Sequence, residues 1–291
     1  MERPLLSPGA RVGVFAPAGV FDPARLETGL ARLRAWGFTP VLAPHLGRRH
    51  RYLAGTDAER RADLLWALRG EGLEAAWLAR GGYGLTRLLP GLPERGYPQR
   101  PVIGFSDASA LFAALWRRGA GPLVHGPVLQ SLTDHADAAS QEVLRALLCE
   151  GRGWSWPCHE VVPGDAFGRL VGGNLCTLAS LAGTADALKA EGSILVLEEV
   201  GERPYRIDRL LTQLLGAGTF EGVAAVVLGG FVGCAEADEP GWDAEQIALE
   251  LLDGLGVPVV TGLPVGHGPT NHAFCWGARA ALRGGVLSWE P

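Results

Sequence analysis

At 291 residues, 47% hydrophobic and 20% charged, the chain has material for two packed domains and too much apolar content for disorder. A net charge of −5 with no basic stripe argues against nucleic acid as a partner, and the absence of a long uninterrupted apolar run argues against a membrane span. The five cysteines are scattered and form no CxxC pair, which speaks against a disulfide framework and a structural zinc site.

The first residues lack a cationic start followed by an apolar stretch and a cleavage site, so a cytoplasmic protein is expected. Arg11–Ala16 is a short apolar run closed by Pro17 and Gly19, and predicts a first strand. Asp22–Trp36 follows as a helix with Leu26, Leu30, Leu33 and Trp36 on one face. Thr39–Leu42 predicts a strand. Thr56–Arg69 predicts a helix opened by a capping box, Thr56 with Glu59. Further strands are expected at Ala75–Leu78, Val102–Phe105 and Leu123–Val124, with helices at Asp107–Arg117 and near Ala136–Leu148. Strands separated by helices imply crossovers, hence a parallel sheet covered on both faces. In such sheets ligands collect beyond the carboxyl ends of the strands.

Gly151–Asp165 has no period and is rich in Gly, Pro and Trp, and is taken as a linker between an N-terminal α/β domain (1–150) and a C-terminal domain (166–291). The second half predicts strands near Leu170–Gly172, Ile194–Glu198, Ala224–Leu228 and Val257–Val260. Helices are expected near Asn174–Leu181, Pro204–Leu215 and Asp243–Leu252, and a hairpin over Ala280–Trp289.

Chemistry is sought at the strand ends. Val102-Ile103-Gly104-Phe105-Ser106-Asp107-Ala108 runs from a buried strand through Ser106 into a helix, the layout of a nucleophile elbow. The N–H of Asp107 could then hold an oxyanion. Taken alone, the segment favours an ordinary helix N-cap. A serine nucleophile needs a base, and the base an orienting carboxylate. The strand ending at Glu198-Glu199 offers two acids, of which only one can face a site, because adjacent strand residues point to opposite faces. His267 sits between glycines in a loop after a strand, with His125 and His272 as competitors. Arg80-Gly81-Gly82-Tyr83-Gly84 follows another strand, and its glycines permit close backbone approach to a ligand.

In chain order the segments ARGGYGLTRLLP, IGFSDAS, HGP, GGNL, LEEVGERPYRIDRLLTQL and GHG resemble the LD-carboxypeptidase family of serine peptidases, from about Arg11 to about Leu282. The resemblance implies a flavodoxin-like parallel-sheet N-terminal domain and a smaller, mixed α/β, β-rich C-terminal domain. It implies Ser106 as nucleophile, Glu198 as the acid orienting the base, and His267 as general base. Asp107 and Gly82 would supply oxyanion N–H groups, with Gly81 and Arg80 alongside. No metal or cofactor is implied, and a homodimer is. The implied reaction is hydrolysis of the bond before the C-terminal D-alanine of a murein tetrapeptide, in peptidoglycan recycling. A sister branch of microcin-immunity peptidases uses the same triad on peptide-nucleotide antibiotics. A non-catalytic small-molecule binding module is the reading from another class. Arg80, Arg203 and Arg206 are the arginines near the motifs that could hold a substrate carboxylate, although Arg206 could equally pair with Glu202.

Overall fold

A computed structural model describes residues 3–133, 135–235 and 243–291. The first half alternates strand and helix: β1 (Arg11–Phe15), α1 (Pro23–Ala35), β2 (Thr39–Leu42), α2 (Asp57–Arg69), β3 (Ala75–Leu78), β4 (Val102–Gly104), α3 (Ala108–Arg117), β5 (Leu123–His125) and α4 (Ala138–Glu150). The helices start where capping chemistry allows. Asp22 accepts from the N–H groups of Ala24 and Arg25, and Asp137 from Ser140. Thr56 and Glu59 form the reciprocal box expected from their spacing.

The second half continues with β6 (Trp154–Pro157), β7 (His159–Val162), β8 (Ala166–Asn174), α5 (Leu175–Ala179), β9 (Ser193–Val200), α6 (Pro204–Gly216), β10 (Ala225–Val232), α7 (Ala244–Leu252), β11 (Val259–Thr261), β12 (Phe274–Trp276), β13 (Arg279–Arg283) and β14 (Val286–Glu290). Helix α6 turns Ile207, Leu211 and Leu214 inward at helical spacing.

The first sheet has the order β12-β5-β4-β3-β1-β2. Its strands β1 to β5 are parallel, in the doubly wound order that places a crevice where the winding reverses, here between β1 and β3. The loops after those two strands meet there, with Gly19 N–H donating to the Gly81 carbonyl at 3.1 Å. The second sheet, β6-β14-β13-β8-β9-β10-β11-β7, is mixed: β8 to β11 are parallel and its flanks antiparallel. The fold is therefore mixed α/β, with a parallel sheet in the first half and a larger mixed sheet in the second.

Some pairings lie outside the sequence reading. The segment expected as a linker carries β6 and β7, which pair with β14 and β11 and so form the two edges of the second sheet. Trp154 and Trp156 do alternate with Ser155 and Pro157, but Gly and Pro mask so short a signal, and an edge strand tolerates proline. Strand β12, late in the chain, returns to the first sheet and runs antiparallel to β5, with Phe274 opposite His125. Ala166–Asn174 extends well before the predicted Leu170.

Candidate active site

Four strand ends converge on one cleft. Ser106 follows β4, Asn174 ends β8, Glu198 lies near the end of β9, and His267 is in the loop after β11. Ser106 has φ +64°, a left-handed conformation costly for a residue with a side chain. That turn lifts its hydroxyl out of the strand direction, while Ser109 N–H bonds back to the Ser106 carbonyl at 2.9 Å to start α3. Ser106 is thus not a conventional N-cap. Its hydroxyl meets Nε2 of His267 at 3.0 Å. Nδ1 of His267 lies 2.7 Å from Oε2 of Glu198, a carboxylate with no solvent exposure.

The two acids of β9 separate as strand geometry requires. Glu198 faces His267. Glu199 faces away and accepts from Asn174 Nδ2 at 2.8 Å, Cys176 N at 2.6 Å and Val200 N at 2.8 Å, holding the start of α5. Burial raises the Glu199 pKa, and these donors partly offset that effect. The Glu198 carboxylate fits because residue 266 is glycine: a Cβ there would come within 2.9 Å of Oε2.

Burial is the largest influence on the His267 ring and pushes its pKa down. The hydrogen bond and charge of Glu198, with the charge of Glu199, outweigh it, so the pKa is raised. The ring is backed by Phe105, centroids 4.8 Å apart. The competing histidines serve elsewhere. His125 is fully buried, stacked on Phe274 at 4.7 Å, and desolvation drives its pKa down to about 3, so it is a neutral core residue. His272 accepts from Trp156 Nε1 at 2.8 Å.

The glycine loop after β3 lies against the elbow. A Cβ on Gly81 would fall 3.1 Å from Ser106 Cβ and 3.4 Å from its Oγ, so only glycine lets the loop backbone come this close. Two buried side chains hold this loop: Arg60, which the sequence reading did not single out, and Asp107, which it named only for its backbone N–H. Asp107 Oδ2 accepts from Leu85 N–H at 2.8 Å, and Arg60 Nη1 donates to the Gly84 carbonyl at 3.0 Å, gripping opposite sides of one peptide unit. Arg60 also reaches the carbonyl of Pro17 and pairs with Asp57 at 2.5 Å. The available signal was position: Arg60, Leu64 and Ala67 share the buried face of α2. Desolvation raises the Asp107 pKa to about 6. Ser109, fully buried, ties the two halves of the cleft together by accepting from Asn174 N–H at 3.0 Å.

The arginines near the motifs differ in engagement. Arg80 donates to the Val20 carbonyl and lies beside Gly19. Arg206 Nε is 2.5 Å from Glu202 Oε2, the pairing that the sequence left as an alternative. Arg203 is exposed at the start of α6.

Two cavities flank the Ser106–His267 pair. One of about 330 Å³ is lined by Gly82, Tyr83, Ser106, Asn174, Thr177 and Glu202. The other, about 210 Å³, is lined by Phe105, Pro127, His135, Val200 and His267. Among the described residues, no group of three or more His, Cys, Asp or Glu side chains is placed to hold a metal. A hydroxyl hydrogen-bonded to an imidazole, itself bonded to a buried carboxylate, beside close-packed backbone amides, is an arrangement suited to acyl transfer.

Residues 12–126 match the LD-carboxypeptidase N-terminal domain and residues 167–282 the LD-carboxypeptidase C-terminal domain. The murein tetrapeptide carboxypeptidase of Pseudomonas aeruginosa is 39% identical over 293 residues, covering 96% of this chain and 95% of its own. The crystal structure of muramoyltetrapeptide carboxypeptidase from Oxalobacter formigenes superimposes with a TM-score of 0.86 at 28% identity, over 97% of this chain and 99% of that one. The Microcin C7 self immunity protein MccF, solved in complex with aspartyl sulfamoyl adenosine, has the same fold: TM-score 0.85 at 22% identity, over 100% and 98% of the two chains.

Proposed function

The chain belongs to the LD-carboxypeptidase family and is a serine carboxypeptidase; from that premise we propose that Ser106, His267 and Glu198 are its catalytic triad and that it removes the C-terminal D-alanine of murein tetrapeptide. The observation that carries the triad is the unbroken chain of contacts, Ser106 Oγ to His267 Nε2 at 3.0 Å and His267 Nδ1 to Glu198 at 2.7 Å. His267 takes the Ser106 proton as Oγ attacks the carbonyl before the D-alanine. Glu198 holds the ring in the tautomer that leaves Nε2 able to accept, and stabilises the imidazolium that forms. The N–H groups of Asp107 and Gly82 receive the oxyanion. His267 then protonates the departing amine, and a water activated by the same ring releases the acyl group from Ser106.

The physiological role is peptidoglycan recycling in the cytoplasm by a homodimer. Among the described residues no helix is long and apolar enough to cross a membrane. A second reading is a peptidase acting on peptide-nucleotide substrates, as the sister branch of the family does; the Microcin C7 self-immunity protein MccF of Escherichia coli is 26% identical over 90% of this chain. Mass spectrometry of L-Ala-γ-D-Glu-meso-diaminopimelyl-D-Ala incubated with wild type and with Ser106→Ala separates the two. Loss of one D-alanine with wild type only supports the proposal. An intact peptide with folded wild type directs the search to the peptide-nucleotide substrate.

A further inference from the structure

Resting on that reading, we infer that Arg60 is a positioning residue for the oxyanion site: by bonding the carbonyls of Pro17 and Gly84 it fixes the loop that presents the Gly82 N–H to the tetrahedral intermediate. An oxyanion donor is effective only when its N–H stands within hydrogen-bond reach of the place where the charge develops. The loop after β3 does not select that place by itself. Gly82 and Gly84 have φ +105° and +141°, and such glycines leave a loop many conformations of similar energy. A group outside the loop has to choose one.

Arg60 does so from α2. Its side chain is wholly buried, and Nη1 carries two hydrogens, one for Pro17 in the loop after β1 and one for Gly84, 3.0 Å away. Those loops meet at Gly19 and Gly82: Gly19 N–H donates to the Gly81 carbonyl at 3.1 Å, and a Cβ on Gly82 would stand 3.4 Å from Gly19 Cα. The guanidinium therefore closes a bracket around Gly82, with Gly19 on one arm and Gly84 on the other. Position 84 has to be glycine for this, since a Cβ there would lie 2.7 Å from Nη1. Asp57 holds the guanidinium from its far end, with Oδ1 2.5 Å from Nη2, while its Oδ2 takes Arg87 Nη2 at 2.6 Å. Arg87 lies just beyond Gly84, so the chain of contacts begins and ends in one loop. The buried charge comes at a cost to stability. Nε has no hydrogen-bond partner among the described residues, and replacing a buried charge by a well-packed apolar side chain is often neutral or stabilising. A buried guanidinium on two carbonyls secures geometry rather than stability.

The test follows D-alanine release from L-Ala-γ-D-Glu-meso-diaminopimelyl-D-Ala by wild type, Arg60→Met and Asp57→Asn, together with inhibition by a peptide boronic acid in which boron replaces the carbonyl carbon. Ser106 Oγ bonds to that boron as its proton passes to His267, so the adduct is a tetrahedral anion with an oxygen in the oxyanion site. Arg60→Met keeps the stem and removes the donors. Its kcat is expected to fall about 100-fold, the scale of a misplaced group at the reacting centre, with KM changed by no more than about threefold. Boronate affinity is expected to fall in proportion to kcat/KM. Asp57 is 38% exposed, so Asp57→Asn keeps the inference testable where Arg60→Met does not fold, and it is expected to give the same pattern at about fivefold. A residue that only supported the fold would lower the midpoint of thermal unfolding and leave kcat and boronate binding of the folded protein unchanged. That outcome in Arg60→Met, or in Asp57→Asn where Arg60→Met does not fold, overturns the inference while leaving the proposed reaction standing, as does a rise in KM alone. Failure of folded wild type to cleave the peptide overturns the reaction and the inference with it.

Discussion

The two walls of the cleft hold their functional groups in different ways. On the first-sheet side, the strained left-handed Ser106 turn is secured twice over, by the first turn of α3 and by a glycine loop that buried Asp107 and Arg60 grip at one peptide. On the second-sheet side, the His267 ring is backed by Phe105 and turned toward Ser106 by its bond to Glu198, whose other oxygen, Oε1, has no hydrogen-bond partner among the described residues. Redundant restraints suit a group that must sit at one point through the reaction. A ring directed by one strong side-chain bond suits the proton transfer proposed for His267. The contrast ranks the expected consequences of breaking each wall.

The largest effect is expected on the histidine side. Glu198→Gln keeps the shape but lets the ring turn or adopt the wrong tautomer, and kcat should fall by roughly 10³-fold or more. Because Glu198 contributes to the raised His267 pKa, the acid limb of the kcat/KM profile should also move to lower pH in the variant. A pH–rate series on D-alanine release measures both; an unmoved limb would show that Glu198 does not set the base.

A smaller effect belongs to the elbow side. Burial raises the Asp107 pKa from 3.8 to about 6, so the native state favours its protonated form relative to the unfolded chain. That contribution is fully present below pH 3.8 and is lost as pH rises through about 6. At about 1.4 kcal/mol per pH unit, the window amounts to about 3 kcal/mol. Asp107→Asn removes the titration, so stability relative to wild type should improve from pH 4 to pH 7 by up to about that amount. Urea unfolding at the two pH values measures it, and a constant difference would refute the assignment.

The smallest effect is at the junction of the walls. Ser109→Ala leaves Asn174 N–H without its acceptor and should cost about 1–2 kcal/mol. If Ser109 aligns the walls, kcat should fall along with the midpoint of thermal unfolding. A lowered midpoint with unchanged kcat would make the bond purely structural.

Much of the fold was legible because its signals are local. The alternation of β1 to β5 with helices, the Thr56 box and the helix start near Asn174 each follow from residues within a few positions of one another. Strands β6, β7 and β12 were not legible, since each is short and is stabilised by a partner far along the chain. In the site, Ser106 and His267 could be nominated from their flanking strand ends and glycines. The clamp of Arg60 and Asp107 on the Gly84–Leu85 peptide could not, because its parts come from α2, the elbow and the glycine loop.

The sequence by itself determined the parallel first sheet and the strand ends where chemistry would collect, and the family motifs pointed to one serine, one acid and one histidine, because periodicity, caps and motif residues are written in consecutive positions. The strand pattern left Glu198 and Glu199 open and only the resemblance named Glu198, whose contact with the ring the tertiary structure supplies; the tertiary structure alone decided that His125 is a neutral core residue and that β12 crosses back to the first sheet. Those outcomes depend on which face of a strand is buried against what, a quantity set only when distant segments pack together.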